Sequence, residues 1–590
     1  MDRNLISIAV DELPLLHQII SDLGIQESID SVIPQHGNWS GLSVGHITCL
    51  WLTYILSQHD HRLHTVEDWS ESRLDLLRVL VGDTGVSSYD FTDDKLGLVL
   101  DKISDAGVWS QIEGQINEKS LSIYRFGSSE DVPTFRLDAA PMQSHGKIEA
   151  GGLLQRGYHK QHANIGQLKV KLCTLDNDLN HFAYPITHLT VSGNTSDDEL
   201  YIPIIEQSKR FLSGISGYER GNLYVGDSKF GSIGNRAYVV EGEDYYLMPL
   251  SLLQLSQSDR QALIQQSNKL DYLKVLRKEG KQEVQIAAGF ETVQALSHQL
   301  EGKEVKWSER RLFVNGTAYA KSQQHAFDNR VSKVMAQLAD LPIRRQGKKN
   351  LTSQEEYQEA IDKLLTDNSL QDFLTVILEK NETPKNYRAY GEKPKRIEII
   401  TTFSIQITKN QAAIEDHKAL LGWQVYGTNA PQEALPFEKC VLKYRHQSNI
   451  EGRFDDLRNK VAHLVPIFLQ KDERIEGLVN LLLLALKVCA VLEYKMAQAL
   501  HKNDDELDRV YGGNPKRSTK TPSANRIFNA FSGIAIALVF NNYKLEYAIM
   551  TKLEPVQNKI LKLLDMDSGI YNQLAEKMQI FFSEKIISET

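Results

Sequence analysis

Cysteine is scarce in this chain, and the few cysteines lie far apart. Cys49, Cys173, Cys440 and Cys489 form no Cys-x-x-Cys pair among 590 residues. Structural zinc sites and disulfide frameworks of small secreted domains need cysteines at short, repeated spacings. The sequence therefore argues against both, and it favours a reducing compartment in which thiols stay unpaired.

The chain also lacks a signal-peptide core and an uninterrupted apolar run of membrane-spanning length. Its first residues, MDRNLISIAVDELPLL, carry acids and contain no signal-peptide apolar core. The most apolar run, residues 478–492, is shorter than the about 20 residues that a bilayer requires and contains Asn480 and Lys487. We therefore predict a buried helix at this run, and a cytoplasmic protein with no membrane partner.

An excess of positive charge is missing as well. The chain has 67 Lys and Arg against 76 Asp and Glu, which gives a formal net charge of −9. This balance counts mildly against DNA as a partner, although local patches and not the average charge bind phosphate. Hydrophobic residues make up 41% and charged residues 24%, as in folded soluble proteins. The length exceeds one core and corresponds to roughly four domains.

The residue pattern divides the chain into regions of different character. Residues 1–125 show helical apolar spacing. In this region Asp93 and Asp94 suit a helix start better than a metal site. His59, His61 and His64 lack a fourth ligand nearby, so we interpret them as surface or capping residues. The regions are 1–125, 126–250, 251–420, 421–500 and 501–590, and the last combines a basic loop with helical spacing.

Residues 126–250 predict a mixed sheet. Three stretches rich in β-branched and aromatic residues are followed by a helical stretch, a buried strand, a short helix and another strand. This order predicts antiparallel first strands and a crossover to a fourth strand beside the first. Asp138 would end the first strand and Asp227 the fourth, where open α/β sheets place their sites. Residues 251–420, with hairpin and helical stretches, predict an insertion into this sheet domain.

A third acid lies on a stretch, KYRHQSNIEGRFDDLRNK (443–460), that predicts one helix with two faces. One face carries polar residues at spacings of three, four and seven, namely Tyr444, Gln447, Glu451 and Arg458. The face beside it is apolar and consists of Ile450, Phe454, Leu457, Val461 and Leu464. An ordinary amphipathic helix is the alternative, but the aspartates at two strand ends favour a site.

Asp138, Asp227 and Glu451 together are suited to two-metal phosphoryl transfer. Carboxylate oxygens are ligands that Mg²⁺ prefers, and two ions about 4 Å apart stabilise both the attacking and the leaving oxygen. This hypothesis predicts that the three acids line one small pocket. A large helical interaction protein without a site is the alternative, and it predicts that the three acids lie far apart.

These motifs resemble the DDE transposases of bacterial insertion sequences, in particular the insertion-sequence-four group. That group carries Tyr, Arg, Glu and Lys on its glutamate helix at the same spacings, so Gln447 departs from the pattern and Arg458 is a conservative change. Four further blocks are similar in kind and in order: GYHKQHANIGQLKVKL (157–172), VSGNTSDDEL (191–200), GDSKFGS (226–232) and GWQVYGTN (422–429). HGNWSGLSVGHI and DFTDDKLGLVLD resemble the N-terminal helical domain of one branch of these enzymes.

The resemblance implies a ribonuclease-H-like catalytic core with a β-rich insertion between the second aspartate and the glutamate. It implies that Asp138, Asp227 and Glu451 hold two Mg²⁺ ions, for which Mn²⁺ can substitute. The implied reaction is cleavage at transposon ends and strand transfer into target DNA, by a homodimer on paired ends. The implied setting is prokaryotic and nucleoid-associated, and the N-terminal domain would bind DNA ends or dimerise.

Several side chains are candidates for DNA contact. The resemblance implies that Tyr444 and Arg458 contact phosphates, while Gln447 can donate a hydrogen bond but brings no charge. Trp307 would either stack on an unpaired base or pack in the core. A phosphate track or a solvated charged face would comprise Arg310, Arg311, Arg344, Arg345, Lys348 and Lys349. A DNA-contacting or merely solvated loop contains Lys516, Arg517, Lys520 and Arg526.

Two alternatives share the predicted fold but differ in activity. One is a catalytically silent DNA-binding descendant, which Gln447 and the acidic net charge favour. The other is a nuclease that cuts strands without joining them. Assays for cleavage and for strand transfer distinguish these alternatives from a transposase.

Overall fold

The computed structural model of the protein describes most of the chain as mixed helix and sheet. Its described residues are 3–589 except 36, 38, 127–131, 158–164, 178, 180–182, 280–281, 346–349, 390, 392–393, 462 and 542–543. The chain is 46% helical and 25% strand, with one large mixed sheet between helical N- and C-terminal regions. This confirms the predicted α+β, multidomain class.

The N-terminal region is helical after one short strand, β1 (Arg3–Ala9), which the helical spacing did not predict. Seven helices follow, namely α1 (Leu13–Asp22), α2 (Ile25–Val32), α3 (Val44–Gln58), α4 (Val66–Glu71), α5 (Leu74–Val81), α6 (Asp93–Ile103) and α7 (Ala106–Tyr124). At the start of α6 the Thr92 hydroxyl accepts the Lys95 N–H, and Asp93 and Asp94 occupy the first turn. The helix-start interpretation of these two acids is therefore confirmed.

The next elements build the sheet in the predicted order. They are β2 (Thr134–Ser144), β3 (Gly166–Asp176), β4 (Ala183–Ser192), α8 (Tyr201–Leu212), β5 (Leu223–Val225), α9 (Ile233–Glu241) and β6 (Tyr245–Pro249). Strands β2, β3 and β4 are antiparallel neighbours, and the crossover through α8 places β5 parallel to β2. Strand β6 then lies parallel to β5. The predicted adjacency of the first and fourth strands is confirmed.

The sheet continues into the segment that the sequence analysis set aside as an insertion. After α10 (Gln257–Gln266) come three long antiparallel strands, β7 (Leu273–Glu279), β8 (Gln282–Leu300) and β9 (Lys303–Gly316). These strands join the large sheet because β9 pairs with a later strand that also pairs with β6. Strands β7, β8 and β9 are therefore part of the large sheet itself. The predicted domain boundaries stay a prediction.

A smaller unit with its own core follows β9. It consists of α11 (Thr317–Asp340), α12 (Gln354–Asp367), β10 (Leu374–Tyr387), β11 (Arg396–Lys409) and α13 (Gln411–Ala419). Its helices bury Phe327, Val334 and Ile361 in an apolar cluster separate from that of the sheet. The two strands pair only with each other among the described strands, so they form a separate hairpin.

The chain returns to the sheet through β12 (Trp423–Thr428), which lies between β6 and β9. The order of the nine strands is β4-β3-β2-β5-β6-β12-β9-β8-β7. Helices α14 (Phe437–Arg445) and α15 (Ser448–Asp455) follow, and a π-helix over Asp456–Lys460 extends α15. The predicted return strand before the glutamate helix is therefore confirmed.

A long apolar helix, α16 (Asp472–Lys502), lies at the centre of the protein. It is the one helix among the described residues that is long and apolar enough to cross a bilayer, and 94% of its apolar window is buried inside the protein. It packs between β4 and the N-terminal helices α3 and α6. This confirms the predicted buried helix and is the arrangement of a core helix in a soluble protein.

The C-terminal region contains helices and a hairpin. Its elements are α17 (Ala524–Asn529), β13 (Ala535–Asn541), β14 (Lys544–Met550), α18 (Pro555–Leu563) and α19 (Ile570–Glu589). Strand β13 pairs with both β14 and β1, so the two ends of the chain share a three-stranded sheet. The sequence predicts only helical spacing in this region and does not predict these strands.

Candidate active site

The sequence predicts that Asp138 ends the first strand. In the structure Asp138 lies in the middle of β2. The strand continues to Ser144 because its pairing with β3 extends that far. Its other neighbour, β5, pairs only with Thr134–Arg136 and stops at Val225. Asp138 therefore lies just beyond the last β5 partner, where that side of β2 is no longer covered by a strand.

Asp227 follows β5 by two residues, close to the predicted strand end. Its Oδ1 accepts a hydrogen bond from the Tyr201 hydroxyl at 2.6 Å and from the Lys229 N–H at 3.0 Å. Tyr201 is the first residue of α8 and is buried. The crossover helix thus holds one oxygen of Asp227 in place.

The helix of Glu451 is broken, so the prediction of one continuous helix over 443–460 is wrong. In a continuous helix the Lys443 carbonyl would accept the Gln447 N–H. Instead it accepts the Arg136 Nη2 at 2.6 Å and the His446 N–H at 3.3 Å, and the Gln447 N–H turns to the Tyr444 carbonyl. The chain bends at this point and restarts as α15.

The π-helix after α15 changes the spacing of side chains a second time. The Val461 N–H donates to the Asp456 carbonyl, five residues earlier. A π turn holds more residues than an α turn, so Glu451 and Arg458 do not share the face that α-helical spacing predicts. The apolar stripe nevertheless is buried as predicted, with Ile450, Phe454 and Leu457 at most 4% exposed.

The three acids surround one region of the sheet. Helix α15 packs on β2, β3 and β4, so the glutamate helix lies beside the strand of Asp138. The side chain of Glu451 itself is exposed. The negative charges of both Asp227 and Glu451 act on the Asp138 carboxyl. We call Asp138, Asp227 and Glu451 the acidic site; the interaction-protein alternative predicted that they would lie far apart.

Burial dominates the electrostatics of Asp138. It raises the pKa of the carboxyl to about 6, against the opposing effects of the Ala139 N–H and the charge of Lys171. The neighbouring Asp227 and Glu451 charges raise the pKa further. A buried carboxylate with two negatively charged neighbours is stabilised by any added cation.

The donor chemistry of the acidic site fits a hard divalent cation. Within the described part of the chain, none of its three carboxylates forms an ion pair, and the Glu451 carboxylate accepts no hydrogen bond. Such oxygens are ligands that Mg²⁺ prefers. Among the described residues, however, no three His, Cys, Asp or Glu side chains are close enough together to hold a metal ion. His59, His61 and His64 likewise belong to no such group of described residues, and His61 is buried, so it is not the surface residue that was predicted.

The predicted phosphate-contacting residues border the acidic site. The ring of Tyr444 packs at an angle of 37° against the ring of Tyr426, with 4.5 Å between the ring centres. Burial, together with the charges of Asp227 and Asp138, raises the pKa of the Tyr444 hydroxyl to about 12. Arg458 donates to the Pro141 carbonyl at 3.2 Å, while its buried Nε makes no hydrogen bond to a described residue. The Gln447 side chain accepts a long 3.5 Å contact from Arg136. DNA contact by these three residues stays a prediction.

Trp307 does not belong to this site. The strand register places it level with Asp244, before the start of β6, whereas Asp227 lies beyond the end of β5. Its indole N–H donates to the buried Tyr246 hydroxyl at 2.9 Å. The core interpretation therefore fits Trp307 better than base stacking.

The sequence predicts either a phosphate track or a solvated face for the charged stretch of the insertion, and its first two residues, Arg310 and Arg311, fit neither because both are largely buried. Arg310 is buried and makes a two-bond pair with Glu291, and it also donates to the carbonyls of Ala430 and Leu435. Arg311 pairs with the buried Glu309. Arg345 is exposed and pairs with Asp340, Arg344 is exposed, and Lys348 and Lys349 lie outside the described residues.

The basic loop is exposed only in part. Lys516 and Arg517 are exposed, and the guanidinium of Arg517 lies 4.1 Å from the ring centre of Tyr511. Arg526 lies 4.4 Å from the same ring. Lys520 pairs with Asp504 at 2.5 Å, so part of its charge is already compensated.

Lys171 and Tyr201 are parts of this region that the sequence analysis missed. Lys171 is fully buried on β3, and its Nζ lies 3.3 Å from the ring centre of Tyr201. Burial lowers the pKa of this lysine to about 8, against the charges of Asp138, Asp227 and Asp197. A lysine inside the apolar strand QLKVKL was the available signal, because a buried lysine needs a nearby negative charge.

Comparison with known families identifies one segment of the chain. Residues 6–114 match a family model described as a domain of unknown function, DUF4277. The match runs from β1 into α7, so it covers most of the N-terminal helical region and none of the acidic site. No curated protein matches the chain.

Proposed function

We propose that this protein is a DDE-type DNA transposase that cleaves DNA at transposon ends and transfers the freed strand into target DNA. The observation that carries the proposal is the position of three acids. Asp138 and Asp227 lie on or just after two neighbouring parallel strands, and the helix of Glu451 packs on β2. Their separation in sequence is large, so only the fold places them around one region of the sheet.

The chemistry of the residues in and around the acidic site suggests a role for each of them in the proposed reaction. Asp138, Asp227 and Glu451 would hold Mg²⁺ or Mn²⁺, which would stabilise the charge on the attacking and leaving oxygens of the phosphate. Tyr444 and Arg458 would bind phosphates of the end DNA, because a phenol and a guanidinium both donate to phosphate oxygens. Tyr201 would keep Asp227 oriented through its 2.6 Å hydrogen bond.

The N-terminal region supports the same proposal. Its matching domain, DUF4277, is found in transposase-like proteins. In this proposal the partners are double-stranded DNA, as terminal inverted repeats and target, and a second copy of the chain on paired ends. The setting is the nucleoid of a prokaryotic cytoplasm.

One observation favours a second candidate, the catalytically silent DNA-binding descendant. Among the described residues the acidic site is not gathered into a three-ligand metal site, and Glu451 is exposed. A transposase would have to draw Glu451 inward when a cation and DNA bind. A silent descendant would leave it where it is.

The test uses the full-length protein and a DNA fragment that carries the inverted repeats flanking its gene. With Mg²⁺ we expect strand cleavage at the repeat ends and joined products with a target plasmid, and neither product with EDTA. Specific end binding without cleavage would identify the silent descendant. Cleavage without joined products would identify a nuclease of the same fold.

A further inference from the structure

We propose that strand β1 is a dimerisation edge, on which β1 of a second copy of the chain pairs in antiparallel orientation. The two three-stranded sheets β1-β13-β14 then become one continuous sheet across the two copies. This sheet is separate from the nine-stranded sheet that carries Asp138. The inference therefore does not depend on the proposed activity, and it names the surface that a second copy would bind.

The open side of β1 offers backbone hydrogen-bonding groups. Strand β1 pairs with β13 on one side, and no described strand lies on its other side. The Val10 N–H donates to the carbonyl of Ile534 at 2.9 Å, directly beyond the last paired residues of the two strands. Backbone groups of successive residues point to opposite sides of a strand, so those of Leu5, Ser7 and Ala9 point away from β13. This edge can accept one more strand.

Strand β1 lacks the features that protect other sheet edges from pairing. Folded proteins usually block an edge strand with charged residues, proline or a bulge. Of the other edge strands in the described sheets, β4 contains Pro185, and β7, β10, β11 and β14 each carry at least two charged residues. Residues 4–9 of β1, NLISIA, contain neither charge nor proline. An identical strand can therefore lie against them without like-charge repulsion.

Apolar side chains are exposed on both faces of this strand. Leu5 is 65% exposed on one face, and Ile6 is 44% exposed on the other. On the face of Leu5, the register places Val539 and then Tyr547 beside it, and Tyr547 is 58% exposed. A strand added at β1 would cover part of Leu5 and of Ile6, which gives the pairing an apolar contribution beside its hydrogen bonds.

Symmetry selects the second copy as the occupant and fixes the register. Most homo-oligomers are two-fold dimers, in which the same patch of both copies meets. An antiparallel pair of β1 strands has this symmetry, and full overlap of Arg3–Ala9 places Ile6 opposite Ile6 of the second copy. Leu5 then lies opposite Ser7 of the second copy, so outward backbone groups meet outward backbone groups. The assembly closes at two copies, because each copy has used its uncharged edge.

The first test is a disulfide at the two-fold axis of the full-length protein without DNA. In this register the Ile6 pair is not hydrogen-bonded, and its Cα atoms lie about 4.5 Å apart, within the range that a disulfide spans. All four native cysteines are buried. Mild oxidation should therefore convert Ile6→Cys into a covalent dimer on a non-reducing gel.

The matched control is Asn4→Cys, on the same face of β1 and also exposed. The proposed register places residue 4 opposite Ile8 of the second copy and not opposite itself. Asn4→Cys should therefore remain a single chain under the same oxidation.

The second test measures association by sedimentation equilibrium. Ser7→Pro removes an outward N–H and leaves the hydrogen bonds to β13 intact, because proline is tolerated on the solvent side of an edge strand. Each dimer loses two hydrogen bonds, so we expect the dimer dissociation constant to rise at least about tenfold. Ser7→Ala keeps the N–H and should associate like the wild type. Leu5→Lys is a second disrupting variant, and circular dichroism checks the fold of each.

The outcomes separate this inference from the proposed function. A wild type that stays monomeric at every concentration would overturn the inference, also if β1 instead binds a strand of another protein. Equal crosslinking of Ile6→Cys and Asn4→Cys, or unchanged association of folded Ser7→Pro and Leu5→Lys, would overturn it as well. These results leave the transposase proposal intact, whereas a dimer of this register that cleaves no end DNA upholds the inference and contradicts that proposal.

Discussion

At the scale of single residues, the acidic site depends on carboxylates that are placed by unrelated elements. Asp138 belongs to a strand, Asp227 to the turn after another strand, and Glu451 to a helix that begins only at Ser448. None of the three forms an ion pair with a described lysine or arginine. Their removal should therefore affect chemistry far more than folding.

We expect Asp138→Ala, Asp227→Ala and Glu451→Ala each to lower end cleavage and strand transfer by at least about a hundredfold, because each removes a metal ligand. Gel-based assays measure the loss of cleavage and strand transfer. Binding to end DNA measures separately whether each variant still recognises its substrate. Asp455→Ala, on the same helix but paired with Lys460, is the control. Near-normal cleavage by any one of the three variants would remove that residue from the site.

A second residue-scale prediction concerns Glu12, at the start of α1. Burial raises the pKa of its carboxyl from 4.5 to about 7, despite a hydrogen bond from Ser57. The folded state therefore holds this proton more tightly than the unfolded state, so folding loses stability as the pH rises from about 4.5 to about 7. Above about pH 7 the whole penalty is present.

Glu12→Gln removes this penalty without changing the shape of the side chain. We expect the variant to be more stable than the wild type by on the order of 2 kcal/mol near pH 8, with the difference vanishing near pH 4. Denaturant unfolding at both pH values measures it, with the exposed Glu71→Gln as the control. A constant difference across this pH range would contradict the assignment.

At the scale of elements, the loop between α16 and α17 has the charge and exposure for phosphate contact. Lys516 and Arg517 are exposed, whereas Lys520 is paired with Asp504. Two lost phosphate contacts reduce the dependence of log affinity on log salt by about two.

We therefore expect the double variant Lys516→Gln, Arg517→Gln to weaken binding to all DNA sequences alike and to lower the salt slope by about two. Lys520→Gln is the internal control, with a smaller change because its charge is already compensated. Fluorescence anisotropy from 50 to 200 mM salt gives the slopes. An unaltered slope in the double variant would make this a solvated loop.

At the scale of the whole molecule, the N-terminal helical region is part of the core and not an appended module. Helix α16 contacts α1, α3 and α6 of that region as well as β4. Polar contacts cross the same boundary, including the Arg474–Asp101 ion pair and the hydrogen bond from Lys487 to Asn117. A protein without its first 125 residues would expose an apolar helix face.

We expect such a truncated chain, residues 126–590, to aggregate on expression, because large exposed apolar patches drive association. Size-exclusion chromatography with light scattering compares it with the full-length protein. Removal of residues 570–590 is the control for loss of a terminal helix. A soluble, cooperatively unfolding 126–590 fragment would show that the N-terminal region folds and packs independently.

Much of this architecture was determined by local pattern in the sequence. The strand and helix order from 134 to 249, the buried α16, and the capping of α6 by Thr92 all follow from side-chain periodicity and hydrogen bonds within a few residues. The adjacency of β2 and β5 also follows from the order of elements in the sequence, because crossover connections permit few strand arrangements.

Only the tertiary structure decided which distant residues meet. It broke the glutamate helix, because the buried Arg136 takes the Lys443 carbonyl from 307 residues away. It extended the sheet through β7 to β9, and it buried Arg310 against Glu291 instead of leaving it free for phosphate. It also brought the Tyr201 hydroxyl to Asp227 and the Lys171 ammonium to the Tyr201 ring. Hydrogen bonds and ion pairs of this kind depend on relative positions of separate elements, and these positions leave no periodic signal in either stretch of sequence.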